Sequence, residues 1–169
     1  MTRLASLASL ASLAVLASAC ASVPMAPPEA DRLAKEFRTT PGKTNVYVFR
    51  DESLGGAVKM NVSLDGRMLG PTASKTFLLT SVAPGKHAIV GHAENDAKLE
   101  FVAVPGKNVF VWQEVKMGFL SARNNLQFVD EQSARPRVNE CSLAAEYDAA
   151  PPPAPTSAPA KEPAAVPGA

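Results

Sequence analysis

The sequence predicts a mainly β fold: an antiparallel β-sandwich of about seven to eight short strands, with a short N-terminal helix and a short C-terminal helix. Three observations carry this expectation. Val58, Met60, Val62 and Leu64 alternate with Lys59, Asn61, Ser63 and Asp65, the period of a strand with one dry face. Strand-like runs recur at even spacing, broken by Asp65-Gly66, Pro84-Gly85, Asn95-Asp96 and Pro105-Gly106. Two runs, Val46-Tyr47-Val48-Phe49 and Val109-Phe110-Val111-Trp112, are apolar on both faces, so each needs a second sheet on one side and a cover on the other.

The chain opens with Met1-Thr2-Arg3 and an uncharged apolar run, LASLASLASLAVL. That run is shorter than the ~20 residues that span a bilayer, so it reads as the core of a secretory signal covering residues 1–19. Ala17-Ser18-Ala19-Cys20 follows, and it resembles the lipobox of bacterial lipoproteins, in which the cysteine thiol takes a diacylglycerol and becomes the new N-terminus. Cys20 is therefore the expected lipidation site, carrying enough acyl chains for firm anchoring. Ala21 and Ser22 in place of Asp resemble Gram-negative signals for the outer membrane. The alternative is a plain secretory signal with a soluble product. Residues 20–27 read as a short membrane-proximal linker.

Pro28 suits the first turn of a helix over residues 28–37, and Glu29 and Asp31 suit its positive end. Ala30, Leu33, Ala34 and Phe37 form its apolar stripe, making it the natural cover for the doubly apolar strands. After the strand at 58–64, Asp65-Gly66 turns the chain and Arg67 begins the return. Further strands are expected at 76–82, 87–94, 99–104, 109–115 and 126–129. Asp130 then starts a helix that Pro136 kinks or delays, ending near Ala144 or Ala145 with Cys141 packed inward. From Ala149 the chain is APPPAPTSAPAKEPAAVPGA, which has too little apolar surface to fold and reads as an extended tail. The domain layout is thus signal 1–19, linker 20–27, sandwich 28–146 and Pro/Ala-rich tail 147–169.

Pro-Gly-Lys occurs at Pro41, Pro84 and Pro105, each time ahead of a strand-like run. Gly42-Lys43-Thr44 is not the end of a phosphate loop, since Phe37 stands where that motif needs glycine and a strand follows where it needs a helix. The triplet reads as turn punctuation.

The segments FRTTPGKTNVYVFRD, VSLDGRMLG, LTSVAPGKHAIVGHAE, VFVWQEV and NECSLA together resemble the bacterial family called domain of unknown function 2846, over roughly residues 34–145. Its members are small envelope lipoproteins. LDGRMLG and APGKH also look like PEGA-type surface β-domains. The resemblance implies a fold and a location but carries over no catalytic residue.

The chain has 17 Lys+Arg against 16 Asp+Glu. Loss of Arg3 with the signal leaves a neutral mature chain with no basic cluster, so no electrostatic footprint is expected for nucleic acid or for anionic headgroups. With Cys20 acylated, Cys141 has no intramolecular partner and is a free thiol unless it pairs between chains. His87 and His92 are five apart on one strand and point to opposite faces, so they share no metal. No GxSxG elbow occurs. Asp51-Glu52 and Asp130-Glu131 read as turn caps, and Asn61-Val62-Ser63 matches a glycosylation sequon that a bacterial lipoprotein would not use. Trp112 with Tyr47, Phe49 and Phe110 suits core packing.

The resulting expectation is a lipid-anchored, periplasm-facing binding or structural module, with no cofactor, metal or catalytic residue. Its partners are the membrane, through the lipid, and an envelope protein or peptidoglycan. Two rivals stand beside it: an envelope enzyme or thiol-dependent factor using Cys141 and His87, and a cell-wall sugar binder using Trp112.

Overall fold

A computed structural model describes residues 22–53, 56 and 58–147. The signal 1–19, Cys20 and the tail beyond 147 lie outside the described residues. Nine strands and two helices follow in the order α1 (Pro28–Ala34), β1 (Thr44–Arg50), β2 (Met60–Leu64), β3 (Arg67–Thr72), β4 (Thr76–Val82), β5 (Gly85–His92), β6 (Asp96–Ala103), β7 (Asn108–Met117), β8 (Ala122–Val129), α2 (Glu131–Asn139) and β9 (Ser142–Leu143). They form two sheets, β8-β7-β1-β4-β9 and β3-β2-β5-β6, stacked as a sandwich.

The doubly apolar strands sit where their pattern demands. Val46 and Val48 of β1 and Val111 of β7 face the second sheet and pack with Val62, Leu69, Leu78 and Ile89. Tyr47, Phe49 and Phe110 point the other way and form a second, aromatic core with Phe37, Phe77, Ala134, Val138 and Cys141. Strand periodicity alone produces this split, because successive side chains alternate between faces. Both helices cover the aromatic layer, where the sequence had offered α1 as the cover. The Tyr47 hydroxyl donates to the Ala34 carbonyl at 2.9 Å, tying the end of α1 to the sheet.

Three local expectations are corrected. The sheets are not wholly antiparallel: β1 pairs in parallel with β7, and β4 with β9. The chain between β1 and β7 passes through the second sheet, which supplies the long crossover that a parallel pair requires. Helix α1 stops at Ala34, and Phe37 takes a positive φ of 55°, so the stripe is interrupted and Leu33 is half-exposed. Helix α2 begins as expected, with Asp130 accepting from the Ser133 N–H at 2.9 Å, and contains Pro136. It ends at Asn139, short of Ala144, because the open edge of β4 captures the chain: the Ser142 N–H donates to the Lys75 carbonyl and the Ala144 N–H to the Phe77 carbonyl. Cys141 is nevertheless packed inward.

The expected linker 20–27 is largely part of the body. Val23 is buried in the core between the sheets, Met25 bridges Ala144, and the Ala145 N–H donates to the Pro24 carbonyl. This segment covers the β9 edge, which would otherwise present unpaired backbone groups.

The sandwich has two distinct ends. One, here the turn end, gathers the starts of β1, β5 and β7 and the β2–β3 turn. The other, the hairpin end, carries the β7–β8 connection, which outruns the neighbouring strand: Phe49 pairs with Trp112, and β7 then continues to Met117.

Candidate functional site

The β7–β8 hairpin changes character along its length. Its neck is polar: Glu114 accepts from Gln127 Nε2 at 2.7 Å and from Asn125 Nδ2 at 3.3 Å, and it pairs with Lys116. Beyond the last strand pair, Met117 with Ala122, the tip is Gly118-Phe119-Leu120-Ser121. Met117, Phe119 and Leu120 are 86%, 92% and 88% exposed. Among the described residues no other large apolar side chain is as open to water, and such clusters on a folded surface mark contact sites.

This tip is held in place from the second sheet. Glu94, in the β5–β6 turn, accepts from the Phe119 N–H at 3.0 Å with one carboxylate oxygen, and from the Leu120 and Ser121 N–H groups at 3.0 and 2.8 Å with the other. These donors, Ser121 first, lower its pKa from the ordinary carboxylate value, since each favours the ionised form. Gly118 is required by close approach, because a Cβ there would collide with the Ser121 carbonyl and lie 2.5 Å from Glu94 Oε2. A cavity of about 350 Å³ opens beside the tip, lined by Val58, Val115, Met117, Phe119 and Leu120 among others.

The sequence did not single out this site. The strand pattern ends at Val115 and resumes at Leu126, and the stretch between carries no periodicity. One signal was available: Met-Gly-Phe-Leu occupies a turn, where glycine, proline, asparagine, aspartate and serine are the usual choices.

The residues singled out from the sequence lie elsewhere. His87 is at the turn end, its Nδ1 2.6 Å from Asp65 Oδ2 and its Nε2 2.8 Å from the Ala83 carbonyl. Both partners accept only, so the ring that satisfies them carries two protons, and the Asp65 hydrogen bond raises its pKa accordingly. A cavity of about 370 Å³ with Lys86, Glu100 and Phe101 in its wall adjoins it. Cys141 lies under α2 on the far side of the first sheet, 1% exposed, its Sγ 3.3 Å from the Arg137 carbonyl. Burial pushes its pKa up to about 12, with Asp51 adding to the effect, so the thiolate is scarce at neutral pH. The structure therefore does not bring His87 and Cys141 together.

Trp112 is half-buried; its Nε1 donates to Glu52 at 2.9 Å and the Arg137 guanidinium lies 4.3 Å above its ring. The face that a sugar would stack on is already covered, and Tyr47, Phe49 and Phe110 are core residues. Asp51 and Glu52 do not cap turns: Asp51 forms a two-pronged pair with Arg137 at 2.7 and 2.8 Å, and Glu52 also accepts the Val115 N–H. Asp130 caps α2, and Glu131 pairs with Arg135.

One constellation was unanticipated. On the face of the second sheet away from the first, Ser63 Oγ sits 2.9 Å from His92 Nε2, and His92 Nδ1 sits 2.8 Å from Asp96 Oδ1. The order of groups is that of an activated serine, but Ser63 is 5% exposed on a central strand whose backbone amides are directed into the ladders with β3 and β5. An acyl group would lack an approach and an oxyanion donor there. Among the described residues no cluster of three or more His, Cys, Asp or Glu could hold a metal, and no helix is long and apolar enough to cross a membrane.

Residues 40–125 match the family model described as Protein of unknown function (DUF2846). The matched stretch runs from β1 through the hairpin tip into β8 and leaves α2 outside. An uncharacterized protein of Haemophilus influenzae is 31% identical over 132 residues, covering 77% of this chain and 79% of the relative. The strands, turns and hairpin described above are thus those of a member of this family, and the chain belongs to DUF2846.

Proposed function

We propose that this protein is a lipid-anchored module of the bacterial cell envelope that works by binding, with the β7–β8 tip as its contact surface for another envelope protein. The observation that carries the reading is the tip: three large apolar side chains, open to water, on a loop fixed by Glu94 and Gly118. Preorganising a loop lowers the entropy lost on binding. Exposed Phe, Met and Leu with a polar neck behind them match the apolar centre and polar rim of a protein interface.

The tether reading rests on the lipobox-like Ala17-Ser18-Ala19-Cys20. It is supported by the folded body starting at Val23, close behind the cysteine. Radioactive palmitate should label the protein in cells, and Cys20→Ser should abolish that label; label surviving on the variant removes the tether. The contact reading is tested separately with a photo-crosslinking residue. Placed at Phe119 in intact cells, it should give one discrete protein adduct that the same residue at Gln132, exposed on α2 away from the tip, does not. Equal adducts from both positions, or none from Phe119, would refute the tip as the contact surface.

A further inference from the structure

Pro-Gly-Lys occurs three times in the chain, and the fold brings all three copies to the turn end. Lys43 precedes β1, Lys107 precedes β7, and these strands run in parallel. Their turns are tied together: the Gly106 N–H donates to the Lys43 carbonyl at 2.9 Å and the Asn45 N–H to the Lys107 carbonyl at 3.1 Å. Lys86 joins them because Thr44 pairs with Val82, the last residue of β4, and the chain then turns directly through Pro84 into β5.

Turn geometry accounts for the first two residues of the motif. Proline fixes its own φ, and Gly42 and Gly106 adopt φ of 72° and 71°. It does not account for the lysine. Lys43, Lys86 and Lys107 are exposed, and among the described residues none of their ammonium groups has a hydrogen bond or ion pair. Lys35, Lys75, Lys98 and Lys116 each pair with a carboxylate, and Lys59, at the hairpin end, is the one other described lysine without a partner. The acidic groups at the same end are engaged within the fold: Asp65 by His87, Glu100 by Lys98, Asp130 by the Ser133 N–H, Glu131 by Arg135 and Glu146 by Arg67. Val102 and Val104 add exposed apolar surface there, at 64% and 51%.

The chain also leaves toward this end. β9 runs parallel to β4, whose last residue, Val82, is at the turn end, and the segment containing Met25 runs antiparallel to the residues around Ala144. Followed back toward the N-terminus, it therefore heads for the lysines. Cys20 is three residues beyond Val23, a reach of at most ~10 Å. The hairpin tip lies at the opposite end, about 30 Å away along β7.

We infer that the Pro-Gly-Lys end is a docking surface for an anionic phospholipid bilayer, with Lys43, Lys86 and Lys107 at the headgroups and the hairpin tip turned away from the membrane. Unpaired lysines beside exposed apolar residues suit that interface, since the ammonium groups meet the headgroup charge while the valines lie against the lipid boundary. The inference rests on the tether reading for its biological setting, but its test does not.

The chain from residue 20 onward, carrying Cys20→Ser so that no acyl group contributes, is mixed with vesicles of phosphatidylethanolamine and phosphatidylglycerol, and separately with vesicles of phosphatidylcholine. It should sediment with the anionic vesicles and be released as salt shortens the screening length. Lys43→Gln, Lys86→Gln and Lys107→Gln together should weaken partitioning on the order of 100-fold, about fivefold per lysine. The triple variant should unfold at the parent's temperature, which certifies its fold. Equal binding to both vesicle types, unchanged binding by the triple variant, or binding to purified peptidoglycan in place of vesicles would overturn the inference. Lysine-dependent vesicle binding without palmitate label would remove the tether and leave this face standing; the reverse result would do the opposite.

Discussion

Glu94 is the residue on which the shape of the hairpin tip depends. A single carboxylate takes three consecutive backbone N–H groups that the turn cannot pair within itself. Glu94→Ala should speed amide exchange at Phe119, Leu120 and Ser121 by at least about tenfold and leave exchange in β1 unchanged, because the opening is local; uniform change across the sheet would contradict this. His87 gives a prediction with a sign. Its folded pKa is raised above the ordinary 6.5, so the native state holds the proton more tightly than the unfolded chain does. Its contribution is therefore complete below about pH 6.5 and lost as pH rises through the folded value. The stability gap between the parent and His87→Gln should be wide near pH 5 and narrow near pH 9, as urea unfolding would read it. Asp65 stays ionised over that range, because the His87 and Ala88 hydrogen bonds outweigh its desolvation and lower its pKa. Cys141 should resist maleimide in the folded protein near neutral pH and react once the chain is unfolded; fast reaction with the native state would place the thiol at the surface.

At the scale of elements, the aromatic layer between the first sheet and the helices is a second core. Phe77 is fully buried against Tyr47 at a ring separation of 6.1 Å, so Phe77→Ala should cost about 3–5 kcal/mol, measured by denaturant unfolding. Asp130→Ala removes the cap of α2 and should cost about 1 kcal/mol. A loss near zero would mean that packing of Ala134 and Val138 holds α2 unaided. Arg137 clamps α2 to the sheet from its own side chain, pairing with Asp51 while stacking on Trp112 and on Phe49 at 4.8 Å. No sequence pattern indicates that clamp, because it joins residues 86 positions apart.

At the scale of the molecule, the sandwich separates its two exposed features. The apolar tip is carried beyond one end by the extra length of β7, and Lys43, Lys86 and Lys107 gather at the other because β1, β5 and β7 all begin there. A protein tethered at the lysine end would hold its tip about 30 Å out. The segment around Met25 and β9 close one flank between the sheets, with Tyr147 N–H donating to the Leu69 carbonyl across the gap. Two residues separate the expected tether site Cys20 from Val23, and an insertion of flexible residues between them should weaken any contact that depends on orientation while leaving the unfolding midpoint close to the parent's.

The sequence alone determined the β class, the strand positions near Val46, Val62, Leu78 and Val111, the two-sided burial of β1 and β7 and the inward thiol. Each follows from side-chain periodicity and turn chemistry, which act over a few residues. The tertiary structure alone decided that β1 and β7 lie in parallel, that the chain leaves α2 early to pair with β4, that Val23 enters the core, and that Glu94 reaches the hairpin tip. It also decided that three separate Pro-Gly-Lys turns meet at one end. These depend on which distant strands share hydrogen bonds, and the free energy that selects among such pairings comes from burying both layers at once, a quantity no local stretch of sequence contains.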